Sequence, residues 1–260
     1  MDLGIAGRIA FVAASSQGLG FACAASLARE GVQVTLNGRS SARLGHAAAR
    51  LSAEVPGASV ATIAADLTTK AGRDAIVAAL PTVDILITNN AGPAPGHFED
   101  WGEEEVLDAL RLNMVPAFEL TRAYLPGMRK QGFGRIVNIT SAMVKSPAPE
   151  MGLSASARAA LTAMSKAISR DVAADGVTIN NLLPERIDSP RQDFMVERRA
   201  RADGVNAEEA RRRIASTIAV KRLGRPDEVG DTCAFLCSVR AGYMTGQNIQ
   251  LDGGTYPGLI

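Results

Sequence analysis

Arg8-Ile-Ala-Phe-Val-Ala-Ala-Ser-Ser-Gln-Gly-Leu-Gly20 reads as a strand, a turn and the opening of a helix. Ile9 to Ala14 is a short apolar run of strand length. Ser15, Ser16, Gln17 and Gly18 turn the chain, and Gly20 to Arg29 is a helix rich in Ala and Leu. A strand that feeds a glycine-bearing turn opening a helix makes an anion site, because free backbone N–H groups and the positive helix end point the same way. Gly18 allows a ligand to approach the backbone closely, and Gly20 lets the helix pack tightly on the strand. A glycine turn alone is a common pattern; the strand-to-helix setting makes it a nucleotide-type turn.

The same alternation continues along the chain. Val32 to Leu36 is a second strand ending at Asn37-Gly38-Arg39, Ser40 to Leu51 an Ala-rich helix, and Ser59 to Ala64 a third strand. Thr68 or Asp66 is placed to cap the next helix, Lys70 to Leu80, which stops at Pro81. Asp84 to Thr88 is a fourth strand, followed by Asn89-Asn-Ala-Gly92. A long helix from Glu103 to Gln131 is expected to bend or restart near Pro116. Arg135 to Thr140, Val177 to Leu183 and Asn248 to Leu251 complete the strands, with helices at Leu153 to Asp175 and Pro226 to Leu236 between them. Strands alternating with helices imply a parallel sheet covered on both faces, and right-handed crossovers put all the strand C-termini on one ligand-binding edge. The expectation is an α/β protein: one Rossmann-type, doubly wound domain over residues 1–260 with about seven parallel strands. The polar helical segment 185–223 is expected to form a substrate lid within that domain.

With 260 residues and 47% hydrophobic composition, one sizeable core is possible. A net charge of +1, from 28 basic and 27 acidic residues, gives no footprint for nucleic acid or an anionic membrane surface. The basic cluster Arg198 to Arg213 is interleaved with Glu197, Asp203, Glu208 and Glu209 and reads as a salt-bridged helix. Three cysteines argue against a disulfide framework; Cys233 and Cys237 read as core thiols, and no metal set is expected. No apolar run reaches about 18 residues. No leader pattern opens the sequence. A cytoplasmic location is the expectation.

From end to end the chain resembles the short-chain dehydrogenase/reductases, closest in layout to the 3-oxoacyl-acyl-carrier-protein reductases. The matching pieces are Asn89-Asn-Ala-Gly92, Asn113 in the long helix, Ser141 past the fifth strand, Asn180 with Pro184, Met244-Thr-Gly246 and Leu251-Asp-Gly-Gly254. The resemblance implies a nicotinamide dinucleotide held by Ala14, Ser15, Ser16, Gln17, Gly18, Leu19 and Gly20. It also places Asp66 and Leu67 at the adenine, Asn90, Ala91 and Gly92 beside the ribose, and Pro184 and Ile187 at the far end. The second strand ends without an acidic residue, and Arg39 offers a guanidinium fork suited to a 2′-phosphate, so NADP(H) is favoured over NAD(H), which stays possible.

The chain departs from the family at its chemical centre. The family uses Asn, Ser, Tyr and Lys, with Tyr and Lys spaced as Y-x-x-x-K. Here Asn113 and Ser141 are kept, while Ser154 stands in the tyrosine's place and Arg158 in the lysine's. Ala14 replaces the first glycine of the turn. A serine hydroxyl cannot be tuned to pass protons near neutrality, and a guanidinium with a pKa above about 12 does not relay them. Arg158 keeps a charge that could still hold a ribose. Lys145, Glu150, His97 and Glu185 are the replacement proton donors on nearby loops, a solvated surface role being the alternative for His97 and Lys145. Two functions follow: an NADP(H)-dependent oxidoreductase of carbonyl or alcohol substrates with a non-standard proton donor, or a redox-inactive protein of the same fold serving as nucleotide sensor, partner subunit, or non-redox lyase or isomerase. The resemblance also implies a homotetramer, with one interface on the long helix and the Ser154 helix and another on the last strand with Tyr256 to Ile260. Arg191, Arg198 and Arg201 would suit an acidic or phosphorylated small-molecule substrate, and a solvated helix face explains them equally well.

Overall fold

The computed structural model describes residues 1–259; Ile260, part of the second expected interface, lies outside the described residues. Seven strands form one parallel sheet: β1 Ile9–Val12, β2 Gln33–Gly38, β3 Val60–Ala64, β4 Ile85–Thr88, β5 Gly134–Ile139, β6 Val177–Pro184 and β7 Asn248–Leu251. Their order across the sheet is β3-β2-β1-β4-β5-β6-β7. Successive strands step outward from β1 on one side and from β4 on the other, so the order reverses between them. A crevice opens there above the strand C-termini, the usual ligand position of such sheets.

Side chains alternate between two cores, as the two-residue period of a strand requires. In β1, Ala10 and Val12 join one cluster while Phe11 joins the other. Ile85 and Ile87 of β4, and Val137 and Ile139 of β5, share the first face, whereas Leu86 and Ile136 point to the second. The first face is covered by α1 Gly18–Arg29, α2 Ser41–Glu54 and α9 Pro226–Cys237. Gly230 of α9 lets the first and last helices meet: a Cβ there would stand 2.5 Å from the Ala22 carbonyl oxygen. Cys23, Cys233 and Cys237 are all buried in this face, and hydrogen bonds to the other two thiols push the Cys233 thiol well above its ordinary pKa. The second face is covered by α3 Lys70–Ala79, α5 Val115–Gln131 and α6 Gly152–Val172.

Several boundaries differ from the sequence reading. Of the bend or restart expected near Pro116, the chain takes the restart: α4 Glu103–Asn113 and α5 are separate helices that meet at Met114. Pro116 therefore sits in a first turn, where its missing N–H costs nothing, rather than inside a bent helix. Thr69, not Thr68 or Asp66, caps α3 by accepting from the Gly72 amide. The polar segment after Pro184 holds α7 Pro190–Asp203 and α8 Ala207–Thr217, which share a small core of Val196, Ala200, Ala210 and Ile214. Its two feet are tied together where Ile187 bridges Gly224.

Candidate active site

A cleft of about 800 Å³ lies along the C-terminal edge of the sheet, lined by the segments that follow β1, β2, β3, β4, β5 and β6 together with α7. At its floor is the turn after β1. Gln17 precedes α1 without capping it through its side chain, so the first-turn N–H groups are left for an anion. Gly18, with φ of +61°, has only Pro190 Cδ near the position of a Cβ, at 3.9 Å. Ala14, Ser16, Gln17, Gly18 and Leu19 line the cleft. Ser15 and Gly20 do not. Ser15 is buried: its hydroxyl donates to the Val12 carbonyl and accepts from the Asn37 amide, which fastens the turn to β2. Gly20 permits the helix to close on the turn, since a Cβ would fall 2.6 Å from the Ala14 carbonyl oxygen.

Ala14 occupies the left-handed region with φ of 46°. Two asparagines hold it there: Asn37 Oδ1 accepts from the Ala14 amide at 3.3 Å, and Asn89 Nδ2 donates to its carbonyl at 3.3 Å. The alanine at this position is thus clamped in a left-handed conformation.

At one end of the cleft stand Arg39, Ser40 and Arg43, with Asp66, Leu67 and Thr68 facing them. Ser40 caps α2 by accepting from the Arg43 amide. Among the described residues neither Arg39 nor Arg43 has a carboxylate partner. Arg43 escaped the sequence reading, although the cap Ser40 three residues before it marks a helix start at the end of β2. Hydrogen bonds from the Thr68 amide and hydroxyl, with Arg39 nearby, hold the Asp66 carboxyl below the usual carboxylate range.

At the other end, Ser141, Ser154, Arg158, Asn90, Ala91, Gly92, Pro184 and Ile187 all line the cleft. Ser141 Oγ accepts from the Met143 amide at 3.2 Å, and Ser154 Oγ accepts from Arg158 Nε at 3.3 Å. Both hydroxyl hydrogens stay free to donate into the cleft. Arg158 is sunk among protein atoms with a thin exposure to the cleft. Its Nη1 donates to the Ile139 and Thr140 carbonyls, both at 2.9 Å, and Nη2 reaches the Asn90 carbonyl at 3.4 Å. With the bond to Ser154, four of the five N–H groups of the fork are engaged. The longer, branched head spans the space to the strand end and spends most of its donors on backbone, leaving one N–H for a ligand such as the expected ribose. Desolvation, reinforced by Arg191, lowers its pKa to about 10, which still leaves it cationic at neutral pH.

Asn113 is buried and does not line the main cleft. Its Nδ2 donates back to the Ala109 carbonyl, while Oδ1 has no protein partner. Asn113 and Arg158 together line a separate cavity of about 20 Å³, room for a single water. Of the replacement donors, Glu150 and Glu185 line the cleft, whereas Lys145 and His97 do not. Lys145 instead lies 5.7 Å from the Tyr256 ring, and His97 precedes the short 3-10 turn Phe98–Asp100. On α7 the cleft is met by Arg191, Gln192, Arg198 and Arg199, not by Arg201, because the helix turns that position outward. Trp101 pins the loop after β4 onto the start of α6: the missing Cβ atoms of Gly96 and Gly152 would stand 2.8 and 2.6 Å from its ring.

The chain matches the family described as Enoyl-(Acyl carrier protein) reductase over residues 13–256. It belongs to the short-chain dehydrogenase/reductase family. It is 32% identical over 252 residues to the NADPH-dependent reductase BacG of Bacillus subtilis, covering 95% of this chain and 97% of that one. It is also 32% identical over 253 residues to Dehydrogenase/reductase SDR family member 4 of Bos taurus, over 95% of this chain and 87% of the other. Among solved structures, L-sorbose reductase from Gluconobacter frateurii, complexed with NADPH and L-sorbose, superposes with a TM-score of 0.93 at 29% identity over 100% of both chains. No helix of the described residues is long and apolar enough to cross a membrane, and no cluster of metal-binding side chains occurs among them.

Proposed function

We propose that this protein is an NADP(H)-dependent oxidoreductase that reduces a carbonyl group, or oxidises the matching alcohol, with a non-standard source of the proton. The observation that carries the reading is the pairing of an open helix N-terminus at Gly18 with two arginines, Arg39 and Arg43, that make no ion pair among the described residues and stand in the same cleft. That spacing of anion sites suits a dinucleotide bearing both a pyrophosphate and a 2′-phosphate, and the names of the relatives agree with it. Bound NADPH would supply the hydride to the substrate carbon.

The chain's own residues would then manage the oxygen. Ser141 and Ser154 donate hydroxyl hydrogen bonds to it, and the buried charge of Arg158 behind Ser154 strengthens the second of these as negative charge develops. Neither serine gives up its proton. The neutralising proton comes from water, or from Glu150 or Glu185, the two carboxyl side chains on the cleft wall other than Asp66. Residues 185–223 act as a lid in this reading. Its helices share a core of their own, and non-glycine residues with positive φ sit at both feet, Arg186 at 55° and Lys221 at 58°. Such residues absorb backbone change at hinges. A homotetramer in the cytoplasm completes the proposal on the strength of the family resemblance.

Titration with NADPH and NADH, followed by quenching of the single tryptophan, Trp101, tests the cofactor assignment. The double variant Arg39→Ala/Arg43→Ala should weaken NADPH by about tenfold or more while leaving NADH within a few-fold. A wild-type protein that binds neither nucleotide would sink the reading. The specific observation favouring a redox-inactive protein is the engaged Arg158 beside a serine. Tight NADPH binding with no turnover of any carbonyl compound would decide for it.

A further inference from the structure

The cleft wall formed by α6, α7 and the segment after β6 carries more positive charge than the chemistry just described needs. Five arginines line it: Arg158, Arg186, Arg191, Arg198 and Arg199. Arg186 lies 3.5 Å from Glu185, and Arg199 is paired with Asp203 at 2.7 Å. Arg158, Arg191 and Arg198 have no carboxylate partner among the described residues, and against them stands one carboxylate without an ion pair, Glu150. The excess is positive. Unpaired like charges held together are unfavourable unless an anion is meant to join them.

The positions converge. Arg191 Nη2 donates to the Pro93 carbonyl at 3.3 Å and Arg158 Nη2 to the Asn90 carbonyl at 3.4 Å, so the two guanidiniums meet the two ends of Asn90-Ala-Gly-Pro93. Gly92 keeps the space between them clear: a Cβ there would lie 3.2 Å from Ser154 Oγ and 3.5 Å from Arg158 Nη2. The one N–H of Arg158 that is not engaged is on that same Nη2. Mutual repulsion, secondary to desolvation in each case, lowers the pKa of Arg158 through Arg191 and of Arg191 through Arg198. A second observation is independent of charge. Gln192 is 6% exposed, lines the cleft, and its Nε2 has no acceptor. A buried amide donor beside three unpaired guanidiniums is a set of donors waiting for acceptor oxygens.

We infer that Arg191 and Arg198 of α7, with Gln192 and the free Nη2 hydrogen of Arg158, form a recognition site for a carboxylate on the substrate, making this a reductase of oxo-acids rather than of neutral carbonyl compounds. This rests on the reductase reading. It gives α7 a task as well: the helix that covers the cleft carries the charges that a bound acid would draw inward.

The test compares three oxo-acids, pyruvate, levulinate and 2-oxo-4-phenylbutanoate, with their methyl esters. Initial rates with NADPH are measured on the wild type, on Arg191→Gln/Arg198→Gln, and on Arg201→Gln, which changes the outward face of the same helix. NADPH affinity and the binding of the acids to the NADP⁺-loaded protein are measured by calorimetry. The wild type should prefer at least one acid over its ester by about tenfold or more in kcat/KM, and the double variant should lose that preference, chiefly through KM. The Arg201→Gln protein should keep it. Equal use of acids and esters overturns the inference and leaves the reductase intact. So does a double variant whose defect is in NADPH affinity, since the arginines would then serve the cofactor. Acid binding that the double variant loses, in a protein with no turnover, upholds the carboxylate site and removes the reductase. No acid bound and no acid preferred overturns the inference outright.

Discussion

Replacing Arg158 by methionine separates a structural role for its head group from a purely chemical one. The substitution keeps most of the stem and deletes the guanidinium. Two carbonyl groups, those of Ile139 and Thr140, then lose donors at 2.9 Å, and the weaker contact to Asn90 at 3.4 Å goes too. Both strand-end residues are only 4% exposed. A buried acceptor left unpaired costs about 1–3 kcal/mol. Two of them therefore cost roughly 2–6 kcal/mol, offset in part because the desolvated charge that lowered the Arg158 pKa is gone. A net loss of about 2–4 kcal/mol remains, and in a chain of this size each kcal/mol moves Tm by roughly 2–4 °C. The expected fall in Tm is about 5–15 °C by calorimetry, with a matching fall in the urea midpoint. Arg158→Lys, whose ammonium can still reach one or two of the carbonyls, should lose less than half as much. Ser154→Ala, which removes only the 3.3 Å contact, should stay within about 1 kcal/mol of the wild type. An Arg158→Met protein as stable as the wild type would refute the reasoning: it would mean that the burial cost of the charge equals everything its hydrogen bonds return.

Two further perturbations probe other parts of the argument. Ala14→Gly relieves a left-handed alanine at φ 46°, and after the added freedom of the unfolded chain is subtracted it should stabilise by about 1 kcal/mol; a lowered Tm would show that the asparagine clamp carries no strain. Glu228 is held down at about 2, first by the Arg222 guanidinium and then by the Arg225 amide. A carboxyl depressed in the fold gives stability that is full above its unfolded value, near 4.3, and lost as pH falls toward 2. Glu228→Gln should therefore flatten the acid-side decline of Tm across that window, and an unchanged slope would dismiss the pairing.

What the sequence disclosed and what it hid divide along physical lines. Strand periodicity and the strand-turn-helix at Arg8 to Arg29 were legible because they are local: alternation and glycine placement act within a few residues. The Ser154 and Arg158 replacements were legible as identities. Their geometry was not, because the three carbonyls that bind Arg158 come from strand β5's end and from the loop after β4, 18 to 68 residues away. The same holds for Ser15, which is indistinguishable in sequence from its cleft-lining neighbour Ser16 until Asn37 is seen to donate to it from the adjacent strand. Gln192 gave no signal at all, since an amide on a polar helix is unremarkable until its burial is known.

The replacements at Ser154 and Arg158 are coupled in space, and that coupling bears on which chemistry they permit. A lysine in place of Arg158 presents a single flexible ammonium, whereas the guanidinium fork ties down two carbonyls at the end of β5 and one after β4 and still donates to Ser154. Having taken on that load, it still occupies one lone pair of Ser154 and leaves that hydroxyl's hydrogen free to donate. Ser141 is held in the same manner by the Met143 amide. In the proposed reaction two serine hydroxyls free to donate would stabilise charge on oxygen without transferring a proton, so the rate should depend on how much negative charge the substrate oxygen must carry before water neutralises it. Substrates whose oxyanion is already spread by an adjacent electron-withdrawing group depend least on an in-cleft proton donor and should react fastest. A series of ketones graded by that property should therefore show a steeper rise in kcat than the same series on a relative with tyrosine at this position, and a flat series would place the proton donor inside the cleft after all, with Glu150 and Glu185 the first side chains to replace.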